Sequence, residues 1–144
     1  MEIRPYRHGD LDAVAALWHA SWLSTGVALE KPVSVAELRE RFPEEIAKGW
    51  TVYVATLDAN VIGFISIAGH TLEQLFIAPE YQNRGIGKTL LDFVKAQRPD
   101  GFDLITAVES SAPNFYEREG LTRREESHHP DYGHPIVRYE WVPH

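Results

Sequence analysis

The run Leu75-Phe76-Ile77-Ala78-Pro79-Glu80-Tyr81-Gln82-Asn83-Arg84-Gly85-Ile86-Gly87-Lys88 constrains this chain more than any other part of it. It reads as a buried strand, a short turn, and a helix that opens on Arg-Gly-Ile-Gly. A helix start leaves backbone N–H groups unpaired and carries the positive end of the helix dipole. Glycines there let a large anion approach the backbone and permit conformations that other residues avoid. The segment is therefore suited to holding phosphates. Its glycine spacing is not that of an ATP-binding P-loop. Nor is it the G-x-G-x-x-G dinucleotide turn, because Leu90 follows Lys88-Thr89.

The elements around this run predict the rest of the fold. Glu2 to Tyr6 reads as a first strand, and Asp10 is a candidate N-cap for a helix that carries Leu11, Val14, Leu17, Trp18 and Trp22 at helical spacing up to Gly26. Val27 to Val33 is a loop. Ser34 and Glu37 make a capping box for a second helix, which runs to about Lys48 and stops at Gly49. Strands follow at Thr51 to Thr56, Val61 to Ala68 and Leu72 to Ile77. A helix covers Ile86 to Gln97. The strand Phe102 to Val108 has few polar residues, as expected when both faces are covered. A short helix spans Ala112 to Glu119 and ends at Gly120; Leu121 to Ser127 and Ile136 to Val142 then form a closing pair of strands. The order β-α-α-β-β-β-α-β-α-β-β gives an α/β fold, a mixed sheet of about seven strands flanked by about four helices.

At 144 residues the chain is expected to be one domain, 1–144, and 4 Trp, 6 Tyr and 6 Phe can fill its core. The absence of cysteine excludes disulfides, thiolate metal sites and a cysteine nucleophile, and fits a cytoplasmic protein. The N-terminal Met1-Glu2-Ile3-Arg4-Pro5-Tyr6 lacks the pattern of a signal peptide, and no apolar run approaches the length of a membrane span. A net charge of −7 argues against a nucleic-acid binder and suits a cationic partner such as an amine.

Two motifs resemble one family. Gln82-Asn83-Arg84-Gly85-Ile86-Gly87 is similar to the Gln/Arg-x-x-Gly-x-Gly/Ala turn of the GCN5-related N-acetyltransferases, and Ala112-Pro113-Asn114-Phe115-Tyr116-Glu117-Arg118-Glu119-Gly120-Leu121 looks like their later Ala-x-x-Phe-Tyr-x-x-x-Gly-Phe segment, with Leu121 in place of the usual Phe. The resemblance implies acetyl-CoA as co-substrate. Its pyrophosphate would meet Gln82, Asn83, Arg84, Gly85, Ile86, Gly87, Lys88 and Thr89. Its pantetheine arm would lie beside Leu75, Phe76 and Ile77, in a gap between the strands before and after the phosphate-binding helix. In the family an Asn seven residues before the tyrosine binds that arm. Here the position is Glu109, with Ser110, Ser111 and Asn114 as candidate substitutes.

Acetyl transfer to an amine needs a neutral amine, a stabilised oxyanion and a protonated leaving thiolate. A lysine-like amine has a pKa of about 10.4, so freeing its lone pair at neutral pH costs on the order of 4–5 kcal/mol. By resemblance Tyr116 is the general acid that protonates the CoA sulfur, and the backbone N–H of Ile77 or its neighbour is the oxyanion donor. Glu73 is the candidate base, on a strand where it shares a face with Leu75 and Ile77. His70 is a second candidate, on its more suitable pKa. Trp18, Ser21, Trp22 and Tyr132 are candidate residues of the acceptor site, with Trp18 and Trp22 four apart on one helix face. Their alternative role is core packing. His128, His129, Asp131 and His134 lack regular metal-ligand spacing, and the chemistry needs no metal.

The leading expectation is an enzyme that passes acetyl from acetyl-CoA to a primary amine of a small molecule or peptide, by direct attack in a ternary complex. The alternative is a catalytically silent CoA-binding regulatory module of the same fold. A homodimer is compatible with the family, with Trp141 as an exposed aromatic that could contribute.

Overall fold

The apolar positions along the chain fall into two sets, and the sheet separates them. The computed structural model describes residues 1–26 and 33–143. It contains β1 (Glu2–Pro5), α1 (Leu11–Ser24), α2 (Val35–Ala47), β2 (Thr51–Leu57), β3 (Asn60–Ala68), β4 (Thr71–Ile77), α3 (Ile86–Gln97), β5 (Phe102–Ala107), α4 (Ala112–Arg118), β6 (Thr122–His128) and β7 (Pro135–Trp141). The strands form one seven-stranded sheet in the order β1-β2-β3-β4-β5-β7-β6. Every neighbouring pair is antiparallel except β4 with β5, which is parallel. The mixed α/β architecture is the one that the order of sequence elements predicts. The loop expected at Val27 to Val33 falls, but for Val33, outside the described residues.

On one face, Leu90, Leu91 and Val94 of α3 and Tyr116 of α4 pack on Ile65, Ile67, Leu104 and Tyr139. On the other, Val14, Leu17 and Trp18 of α1 and Leu38 and Phe42 of α2 pack on Val52, Val54 and Phe64. Phe42 is the hub of the second cluster. Its ring centroid lies 5.2 Å from Tyr6, 5.6 Å from Phe64, 5.9 Å from Trp50 and 6.1 Å from Trp18. Such edge-on and tilted contacts each stabilise by about 0.5–1.5 kcal/mol beyond area burial.

Three local expectations are corrected. Asp10 holds the N-cap position of α1, but its side chain makes no capping bond there. It closes a preceding 3₁₀ turn by accepting from the Arg7 N–H at 2.8 Å, and its two oxygens receive the Arg4 guanidinium at 2.8 and 2.9 Å. That fork-to-fork pairing uses the carboxylate more fully than a cap would, and it holds the Asp10 carboxyl below its ordinary pKa. Ser34, in contrast, does cap α2, accepting from Glu37 N–H at 3.1 Å. β5 is not covered on both faces: Phe102, Leu104 and Ala107 are buried, but Ile105 is 47% exposed. Its open face borders a cavity instead of a helix. Trp141 is not an exposed aromatic either. It tilts against Phe102 at 5.6 Å and lies under the Lys95 ammonium, because β7 pairs with β5 along its whole length.

Candidate active site

β4 and β5 are registered at one pair, Thr71 with Asp103. Thr71 Oγ1 donates to Asp103 Oδ1 at 2.7 Å, and the Asp103 N–H donates to the His70 carbonyl at 3.0 Å. Beyond that junction β5 pairs with β7 and β4 with β3, and the gap between β4 and β5 becomes a cavity of about 220 Å³. It reaches from Leu75 and Phe76 across to Leu104 and Ala107, with Tyr116 at its α4 side. α1, α2 and the β6–β7 loop wall the rest.

The backbone of β4 is aimed at this gap. Ala78 N–H donates to the Ile62 carbonyl at 2.8 Å, which makes Gly63–Ile77 a non-hydrogen-bonded pair of the antiparallel ladder. The N–H and C=O of Ile77, and by alternation those of Leu75, therefore point away from β3. The Ile77 carbonyl accepts from Ser21 Oγ at 2.6 Å and from Gln82 Nε2 at 3.1 Å. Those two bonds tie α1 and the phosphate turn to the end of β4.

The turn before α3 has the strained backbone that its sequence suggests. Asn83 has φ 63° and Gly85, the N-cap of α3, has φ 80°, both left-handed. Gly87 sits against Phe115, where an added Cβ would meet the ring at 3.4 Å. Its lack of a side chain lets α3 and α4 close up. Arg84 is exposed and stacks over Tyr81 at 5.3 Å. Thr89 Oγ1 bonds back to the Gly85 carbonyl, and Lys88 turns toward Asp92 at 3.0 Å and Glu119 at 3.5 Å. Ile86 is partly buried against the core. Asn114 is exposed on α4 and is not among the cavity residues.

Tyr116 is 6% exposed, and its ring packs on Phe115 at 5.1 Å and Tyr139 at 5.9 Å. Its hydroxyl has no hydrogen-bond partner among the described residues. Burial pushes the phenol well above its ordinary pKa, so it stays protonated across the neutral range.

Glu73 lines the cavity, but its face differs from the expected one. The β3–β4 register slips so that Ser66 pairs with Gln74 and Ile67 with Leu72, leaving Glu73 as the extra residue of a β-bulge. Leu75 and Ile77 pack with α3 and α4, whereas Glu73 turns toward Arg41 and Glu45 of α2. A bulge resets the two-residue alternation on which the sequence reading relied. Partial desolvation, with Glu45 adding to it and Arg41 opposing, raises the Glu73 carboxyl pKa. His70 lies exposed in the β3–β4 turn and is not brought to the cavity.

Of the four candidate acceptor residues, Trp18, Trp22 and Tyr132 line the cavity. Trp18 is also core: it packs on Phe42, Trp50, Phe64 and Phe76. Ser21 does not reach the cavity. It is 2% exposed, and its hydroxyl is committed to the Ile77 carbonyl. The β6–β7 loop, expected to supply Tyr132, brings His129 and His134 to the cavity with it. His129, Tyr132 and His134 stack, with interplanar angles of 14° to 27°, and Trp22 meets His134 edge-on at 5.2 Å. Arg41 NH1 donates to the Tyr132 hydroxyl at 2.9 Å while its guanidinium lies over Trp18. The grouping of His129, Tyr132 and His134 in one loop is the signal that sequence offers for this wall. Burial holds both His129 and His134 below the ordinary histidine pKa, and Arg41 beside the first and His129 beside the second add to it. Among the described residues no group of three or more His, Asp or Glu could hold a metal ion. Nor is any helix there long and apolar enough to cross a membrane.

Known proteins are similar to this chain in sequence and in fold. The model of the Acetyltransferase (GNAT) domain matches residues 48–122. The uncharacterised N-acetyltransferase YafP of Escherichia coli K12 is 31% identical over 126 residues, covering 84% of this chain and 81% of that protein. The peptidyl-lysine N-acetyltransferase YjaB of Salmonella typhimurium is 27% identical over 136 residues, covering 94% of this chain and 92% of YjaB. The crystal structure of the PaiA N-acetyltransferase from Thermoplasma acidophilum, in complex with coenzyme A, superposes with a TM-score of 0.70 at 24% identity. That match covers 97% of this chain and 98% of the other.

Proposed function

The chain belongs to the GNAT family of acetyltransferases and is an acyltransferase, and from that premise we propose that it transfers acetyl from acetyl-CoA to a primary amine by direct attack in a ternary complex. The observation that carries this reading is the gap between β4 and β5, closed at Thr71–Asp103 and open toward the glycine-rich start of α3. A pantetheine arm laid in it would meet the N–H groups of Leu75 and Ile77. The pyrophosphate would rest on the amides from Asn83 to Lys88, with Arg84 and the α3 dipole favouring its charge. The residues present fit CoA, because the β4 amides and the left-handed Gly85 turn form a cradle with the right donors. CoA, when bound, supplies the thioester as acyl donor.

Within the cavity Tyr116 acts as general acid. A phenol held protonated beside the gap can give its proton to the leaving sulfur. The N–H of Ile77 or Leu75 faces the oxyanion as the carbonyl is attacked. Glu73, at the cavity wall near Arg41 and Glu45, draws in the ammonium end of the acceptor. The acceptor class that suits the aromatic wall and a single carboxylate is a lysine side chain in a peptide, and YjaB is named for that substrate. One domain over 1–144 carries the whole reaction.

The test is thiol release from acetyl-CoA with lysine-containing peptides, polyamines and free amino acids as acceptors. Amine-dependent release supports the transferase. Calorimetric CoA binding with no amine-dependent release from any acceptor would instead favour a CoA-binding regulatory module.

A further inference from the structure

The amine must lose a proton to attack, and the residues assigned so far do not include a group suited to keep it. Glu73 stands on a bulge at the solvent side, facing α2. Tyr116 arrives protonated. A third titratable side chain reaches the same cavity from the β6–β7 loop.

His134 is 6% exposed and lines the cavity, and its Nδ1 has no hydrogen-bond partner among the described residues. Buried polar atoms are nearly always paired, so an unpaired one beside a cavity points to a ligand or a function. The ring is also held in place. His129 N–H donates to the His134 carbonyl at 2.9 Å and Gly133 N–H to the His129 carbonyl at 2.9 Å, closing the loop on itself. Val108 N–H then anchors the Pro135 carbonyl at 3.0 Å, fixing His134 at the far end of β5, where the gap is open. The His129 ring stacks on it at 5.1 Å and Trp22 blocks its edge. His129 is itself occupied, its Nδ1 accepting from the N–H groups of Asp131 and Tyr132.

We propose that His134 is the proton acceptor of the acetyl-transfer step, its imidazole taking the proton from the acceptor's ammonium nitrogen inside the cavity. This rests on the acetyltransferase reading. The ammonium gives one proton to His134, and the freed lone pair forms the C–N bond to the thioester carbon. The C–S bond then breaks with its electron pair going to sulfur, which takes a proton from Tyr116. The new amide nitrogen sheds its extra proton to the Tyr116 oxygen, and His134 releases its proton to solvent. The groups around the shared cavity and beside the ring fit this role. Trp22 and His19 stand on α1, Arg41 on α2, Glu73 on β4 and Tyr116 on α4, with Glu109 after β5 and His129 and Tyr132 in the loop. Burial, with His129 adding to it, disfavours a resting imidazolium, so the ring waits neutral. Glu109 moderates that, so the proton can be held transiently.

The experiment measures kcat and kcat/KM against pH for wild type, His134→Gln, His134→Ala and Glu73→Gln, with a lysine peptide as acceptor and CoA affinity by calorimetry. In His134→Gln we expect kcat to fall about 100-fold or more and the acidic limb of the profile to disappear, with CoA affinity kept. Free imidazole should restore part of the rate to His134→Ala, and Glu73→Gln should raise KM more than it lowers kcat. A His134→Gln enzyme that keeps the wild-type rate, or keeps the acidic limb at reduced rate with no imidazole rescue of His134→Ala, overturns the assignment and leaves the ring a packing role. A wild type that binds CoA but releases no thiol with any amine overturns the transferase reading itself, and His134 with it.

Discussion

Thr71 and Asp103 join β4 to β5 through a 2.7 Å hydrogen bond at the one registered pair between those strands. The junction works as a hinge pin: the strands are held at one end and part at the other, and the cavity lies in between. Thr71→Val keeps the side-chain shape and removes the donor. It should cost about 1 kcal/mol of stability, the net worth of such a bond. Because the pin sets the width of the gap, KM for acetyl-CoA should rise while kcat at saturation changes little. Urea denaturation and steady-state kinetics on the same preparation check both halves; an unchanged KM would show that the gap is set elsewhere.

Gly63 faces Ile77 across the β3–β4 ladder at a point where no side chain fits. An added Cβ would stand 2.9 Å from the Phe76 carbonyl and 3.1 Å from Ile77 Cδ1. The first of these is backbone and cannot swing aside. Gly63→Ala should therefore push β4 away from β3 and cost about 1–3 kcal/mol. The displaced segment carries the N–H groups aimed at the gap, so CoA affinity should fall as well. Thermal unfolding together with CoA titration reads both effects.

Most of the fold was legible because it follows from periodicity. Leu90, Leu91 and Val94 recur on one helical face, and they do form the core beneath α3. The phosphate turn was legible for another reason: Gly85 needs φ 80°, a demand that sequence states openly. What sequence concealed depended on register and on contacts between distant residues. Glu73 reads as a face-mate of Leu75 until a one-residue bulge turns it toward α2. Ser21 reads as a wall of the acceptor site until its hydroxyl is seen to reach Ile77, 56 residues away. That the final loop carries His134 is plain from sequence; that its ring is buried at the cavity follows from the loop bonds that close on His129 and from β7 pairing with β5.

Tyr116→Phe deletes one oxygen from a ring that packs on Phe115 and Tyr139. No described residue loses a hydrogen bond, so the fold should be unaffected within about 0.5 kcal/mol. If the hydroxyl protonates the leaving thiolate, kcat should fall by about 100-fold or more with KM for acetyl-CoA little changed. Aryl thioesters, whose thiolates leave without protonation, should recover much of the loss. Equal losses with acetyl-CoA and an aryl thioester would assign Tyr116 to positioning of the acyl chain.

The two cavity histidines make stability depend on pH in a defined window. Burial lowers the pKa of His129 and of His134 in the folded chain, while in the unfolded chain both titrate near the ordinary value of about 6.5. Above that value both states are neutral and neither ring affects folding. As pH falls below it the unfolded chain takes up protons that the folded chain refuses, so stability declines until the folded pKa values are passed. Asp10 acts in a separate, more acidic window. Its carboxyl is lowered by Arg4, and the stability it contributes is lost as pH falls from the ordinary carboxylate range through the lowered value. Between about pH 7 and about pH 5, Tm of the wild type should therefore fall, and His134→Gln should flatten that slope by roughly one ring's share. Calorimetric scans of the two proteins across the window decide it. A slope identical in both would place the His134 ring in solvent when the chain is folded.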